Sequence, residues 1–210
     1  MTPGDYDPRE RAVQSFRVLN GFTLDLTTGA RAWDILAGTL DLERGPSVAL
    51  GLHRMVMGHL IVSLNKWLEF YEKFLAVIPE DCRAEALRIK HDVERRRVRE
   101  FRHKVVGHIW DDDLHRPLEM AEVNALFEAV VGDDPELFLR WVSSHDRADT
   151  VVSFVDRLKD RLREDYQLTN DELFPADEGA PSPRSAGNQR ETEGPVLGPN
   201  DGTEDNHLVS

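Results

Sequence analysis

The 210-residue sequence predicts an all-α protein, an antiparallel bundle of four to six helices with two long central helices and a disordered acidic C-terminal tail. Three observations carry that expectation. Across residues 1–174 apolar side chains recur every three or four positions, the spacing of one helix face. No stretch there alternates apolar and polar residues between turn signals, as half-buried strands do. Beyond residue 174 aromatic residues stop, and Gly and Pro take over.

The elements follow in order. Residues 8–42 predict one or two helices, because Gly21, Gly29 and the Thr-rich stretch between them leave the boundaries open. Residues 47–78 predict a long helix between Pro46 and Pro79, with Leu52, Val56, Leu60, Leu64, Trp67, Tyr71, Phe74 and Ile78 on one stripe. The aromatic residues Trp67, Phe70, Tyr71 and Phe74 read as core at this helical spacing. A second long helix is expected from Glu80 and Asp81, which suit the positive end of the helix dipole, to about Val106, where Gly107 favours a stop. Further helices are expected at 118–131, 135–143 and 148–166. The two long neighbours, joined by a short Pro-containing turn, predict an antiparallel pair. Residues 1–174 thus form one helical domain. Residues 175–210 carry seven acids against two arginines and read as a disordered acidic tail, lacking the apolar area to offset ordering entropy.

Charge and composition exclude several functions. A net charge of −13 argues against broad attraction to nucleic acid, so any such site must be local. The single cysteine, Cys82, rules out a disulfide framework and a Cys-rich zinc ribbon. No run approaches the length of a membrane span, and the N-terminal residues lack the basic-then-apolar pattern of a signal peptide, so a cytoplasmic protein is expected. Neither a P-loop nor a dinucleotide fingerprint occurs, and no cofactor is expected.

The most informative stretch runs from Arg95 to Asp113. It packs basic, histidine and acidic residues around one helix end. At 100° per residue Val98, Phe101 and Val105 share a stripe, with Arg102 on one flank and His108 on the other. His91, Arg95, Arg99 and Arg102 line a neighbouring basic ridge. Arg102-His103-Lys104-Val105-Val106-Gly107-His108 resembles the hallmark of the HEPN superfamily, above all its abortive-infection and toxin branches: Arg, a polar residue, and then His after four to six residues in all. The stretch ends the second of two long helices, as in that family, and the resemblance covers roughly residues 45–165. His103 stands where the family usually has Asn. After His108 this chain has Ile109, Trp110 and Asp111 where relatives often place Arg and then Asp.

The resemblance implies a metal-independent endoribonuclease, a toxin or antiphage effector. It implies RNA as substrate, a homodimer that brings two copies of Arg102 and His108 together, and an antitoxin protein among the partners. The residue types suit that chemistry. Attack by a ribose 2′-hydroxyl needs a group that exchanges a proton near neutral pH, the part implied for His108. Charge developing on the phosphate oxygens needs a permanent forked cation, here Arg102, with His103 adding a hydrogen bond. Arg95, Arg99 and Lys104 would contact RNA phosphates. The alternative is a non-catalytic helical module that binds RNA or a protein through the same face. Metal readings compete only weakly: within residues 1–174 Glu100-x-x-His103 lacks the second such motif a di-iron bundle requires. The His91-Asp92 and His145-Asp146 dipeptides suggest a metal-dependent phosphohydrolase, with His53 or His59 as the upstream ligand. Asp111 to Asp113 reads as a solvated loop, or as partners for the arginines.

Overall fold

The computed structural model describes residues 7–39, 46–107, 111 and 114–175. Among them stand eight α-helices, six of nine residues or more and two of a single turn. The all-α expectation is met, and the only strand-like pairing among these residues is an isolated bridge between Asp111 and Arg116.

Helix α1, Pro8–Thr39, runs for 32 residues without a break. Its start is set locally. The Asp7 carboxylate accepts from the Arg9 amide at 3.0 Å and Pro8 takes the first helical position, where a missing N–H costs nothing. Helix α2, Pro46–Phe74, gives way to a 3₁₀ turn at Leu75–Val77 just before Pro79. The two helices are antiparallel: Arg11 reaches the Lys73 carbonyl, Asp25 pairs with Lys66, and Gly29 abuts Leu60. Gly29 therefore serves close packing between helices rather than a break.

Helix α3, Glu80–Arg95, packs on α2. Here the structure corrects the sequence reading. The expected single helix to Val106 ends at Arg95, and the chain breaks at Arg97, whose φ of 57° and ψ of 29° are left-handed. A one-turn helix α4, Val98–Phe101, and a π-helical turn, Arg102–Gly107, follow. Helices α5 (Met120–Val131), α6 (Pro135–Ser143), α7 (Val151–Asp165) and the short α8 (Asn170–Leu173) complete the bundle. Each has a local cap: a Glu119–Glu122 capping box, Asp134 below Pro135, Thr150, and a Thr169–Glu172 capping box.

The core lies between α1, α2 and α7. Trp67 is fully buried there, with ring centroids 5.3 Å from Phe70, 5.7 Å from Phe154 and 6.1 Å from Phe22. The aromatic run of α2 is thus core, as its spacing predicts. No helix among the described residues is long and apolar enough to cross a membrane. The chain divides into one unit at Met1–Pro175 and a second at Ala176–Ser210. The acidic tail expected at 175–210 lies, beyond Pro175, outside the described residues.

Candidate functional site

The left-handed turn at Arg97 has a direct effect on side-chain placement. Val98 and Phe101 turn into the core, 0% and 4% exposed, and leave their basic neighbours at the surface. An open groove of about 650 Å³ results, lined by Leu68 of α2, Glu94 of α3, and Arg97, Arg99, Glu100, Arg102 and His103. Leu68 supplies an apolar floor, and everything else in the lining is charged or titratable.

Each groove arginine faces a carboxylate. Arg97 is bidentate on Glu100, with Nε to Oε2 at 2.7 Å and Nη2 to Oε1 at 2.9 Å. Arg99 reaches across to Glu72 of α2 at 2.7 Å, and Arg102 stands 3.7 Å from Glu69 of the same helix. The Arg99 hydrogen bond holds the Glu72 carboxyl below its usual range, and raises Arg99 in return. These pairs are solvent-exposed, so a competing phosphate can replace the carboxylates at modest cost. Arg102, 53% exposed, makes the longest of these pairings.

Of the residues singled out in the sequence, Arg99, Arg102 and His103 come together in this groove. Arg95 and Lys104 do not line it. Arg95 precedes the turn and pairs with Asp92 of its own helix, so the straight basic ridge expected from His91 through Arg102 is broken at Arg96 and Arg97. Lys104 lies 3.0 Å from Asp111, whose side chain is only 1% exposed. Asp111 also accepts from the Leu114 amide at 2.9 Å, and its own amide donates to the Arg116 carbonyl at 3.0 Å. It is therefore a buried anchor for Lys104 rather than a solvated acid. His108, Asp112 and Asp113 lie outside the described residues.

Of the apolar stripe, Val98 and Phe101 are buried within the chain, and Val105 is half-buried. Three features escape sequence reasoning: the carboxylates Glu69 and Glu72, the buried Asp111, and Arg97 as a groove residue. The two glutamates, one helical step apart, carry a signal only once α2 and α4 are known to be neighbours.

Among the described residues no three His, Cys, Asp or Glu side chains gather into a set able to hold a metal ion. His145 Nδ1 sits 3.2 Å from Asp156, and the His53 ring packs edge-on against Trp33 at 4.6 Å.

Fold and groove together define a helical bundle with an arginine-rich surface cleft on its α2–α4 side. No family model matches the chain, and no curated protein matches it. A solved structure from the mobile metagenome of V. paracholerae, the integron cassette protein Vpc_cass2, is similar to it with a TM-score of 0.63 and 17% identity, covering 77% of this chain and 98% of that one. At that identity the likeness concerns the fold.

Proposed function

We propose that the protein is a metal-independent endoribonuclease of the HEPN type that acts as a toxin or antiphage effector. The observation that carries this reading is the gathering of Arg102 and His103 with Arg97 and Arg99 in one open groove, at the head of a π-helical turn. π-Turns inside helices recur at functional sites. In this reading the groove arginines hold the RNA backbone by displacing their carboxylates. Arg102 stabilises charge on the scissile phosphate as the neighbouring 2′-hydroxyl attacks. His103 donates to a phosphate oxygen. His108, the proton-transfer group implied by the motif, takes the hydroxyl proton or delivers one to the departing 5′-oxygen, leaving a 2′,3′-cyclic phosphate. The homodimer remains part of the proposal, with its interface away from Val98 and Phe101, and light scattering at tens of micromolar is its check.

RNA cleavage in excess EDTA tests the mechanism. Wild type and His145→Ala should cleave, whereas Arg102→Ala should be inactive and His108→Ala should lose about 10² to 10⁴ in rate. Loss of wild-type activity on chelation refutes metal independence. Wild type that binds RNA through Arg102 yet never cleaves it identifies the non-catalytic module instead.

A further inference from the structure

Arg96 behaves unlike the arginines on either side of it. Arg95, Arg97, Arg99 and Arg102 all meet carboxylates near the surface. Arg96 turns inward, where its Nη1 donates to the Val130 carbonyl at 2.6 Å. Val130 lies in the last turn of α5, where carbonyls lack intrahelical donors and the helix dipole favours a cation. The same guanidinium stands over two rings of α6, with Cζ 4.6 Å from the Trp141 centroid and 5.6 Å from that of Phe138. A carbonyl and two π-faces thus hold the charge. Burial pushes the guanidinium down from its usual range, with Asp92 opposing.

The next residue, Arg97, takes a left-handed conformation that residues with a Cβ adopt only against a steric penalty. Neither Gly nor Asn is present to ease it. The conformation must therefore be imposed from both sides. On the C-terminal side Val98 and Phe101 are buried. On the N-terminal side Arg96 ties the end of α3 to both α5 and α6.

We propose that Arg96 is the positioning residue of the groove: its guanidinium, clamped between the end of α5 and the rings of α6, sets the left-handed turn at Arg97 and so directs Arg97, Arg99 and Arg102 to one face. The RNA arm of the test rests on the ribonuclease reading, whereas the structural arm stands without it. Arg96 touches no substrate in this scheme, and acts through the turn it fixes.

The experiment compares full-length wild type, Arg96→Ala, Arg96→Lys and Trp141→Leu. Backbone ¹³Cα and ¹³Cβ shifts of Arg97 separate left-handed from right-handed conformations. Fluorescence anisotropy with a labelled single-stranded oligoribonucleotide gives affinity and its salt dependence. Arg96→Ala should lose the left-handed signature, and the slope of log affinity against log salt should flatten by about 0.7 for each phosphate that is no longer neutralised. Arg96→Lys, which keeps a cation over Trp141, should retain the signature and most of the affinity. Should Arg96→Ala not fold, Trp141→Leu, with the Val130 bond intact, should still weaken the signature. Retention of the signature and of wild-type affinity in Arg96→Ala overturns the proposal, and so does loss of the signature with affinity unchanged. A wild type that binds no RNA defeats the ribonuclease reading instead, and the Arg97 signature then decides alone for or against Arg96.

Discussion

Two glycines of α1 should respond in opposite directions to the same substitution. An ideal Cβ on Gly29 would lie 2.6 Å from Leu60 Cδ2, 2.9 Å from its Cγ and 3.3 Å from His59 Cδ2. Leu60 is fully buried and has little room to move. At Gly21 a Cβ meets nothing within 4 Å. Alanine in a helix interior is worth about 1 kcal/mol over glycine, so Gly21→Ala should raise the melting temperature by roughly 2–4 °C. At Gly29 the same gain meets an overpacking cost of about 1–3 kcal/mol, which gives a net change from near zero to a loss of about 2 kcal/mol. Thermal unfolding followed by circular dichroism on both variants reads the difference directly. A background carrying Leu60→Ala removes the offending atoms, and there Gly29→Ala should become stabilising. If Gly29→Ala raises the melting temperature as far as Gly21→Ala does in the native background, the close approach of α1 and α2 is wrong.

Glu72→Gln should raise RNA affinity by about two- to fivefold at low salt, because a carboxylate that competes with phosphate for Arg99 is removed; weaker binding in an anisotropy titration would contradict this. The Glu172 carboxyl, lowered from 4.5 to about 2 chiefly by the Thr169 hydroxyl and amide and then by Arg9, stabilises the folded state above its unfolded range. That contribution is lost as pH falls from about 4.5 towards about 2. An NMR titration should place its midpoint near that lower value, and Thr169→Ala and Arg9→Ala should each raise it. Asp111→Asn leaves the Lys104 ammonium facing a neutral amide and should cost about 2 kcal/mol in chemical denaturation, an effect that is absent if the pair is incidental.

The helices are legible wherever their signals are local. Pro46 and Pro135 mark starts and the stripe from Val56 to Tyr71 finds the core, whereas the helix expected from residue 148 begins at Val151, after its Thr150 cap. The break after Arg95 is not, since neither Gly nor Pro punctuates it. It is made by Arg96 reaching residues 34 to 45 positions further on, an interaction with no local trace. Likewise α1 continues through Gly21 and Gly29 because tertiary packing outweighs their weak helix preference. The site divides the same way. Arg99, Arg102 and His103 stand out within one motif, whereas Glu69 and Glu72 belong to it only through the packing of α2 on α4. Lys104 reads as one more surface cation, and its inward turn toward Asp111 depends on a buried side chain beyond the motif.

The groove's two walls differ in construction. The α2 wall belongs to a 29-residue helix whose Trp67 and Leu68 are fully buried, so its amides should exchange with solvent only when the whole bundle opens. The facing wall is one α-helical turn followed by a π-turn, a length that gains little from cooperative propagation. Any fit to a bound polyanion must therefore come from the exposed side chains of Arg97, Arg99 and Arg102, because Val98 and Phe101 hold the short wall in the core and Glu69 and Glu72 stand on the long helix. Exchanges at the exposed positions of the short wall would retune what the groove accepts, whereas lengthening or shortening it would pull Val98 and Phe101 out of the core.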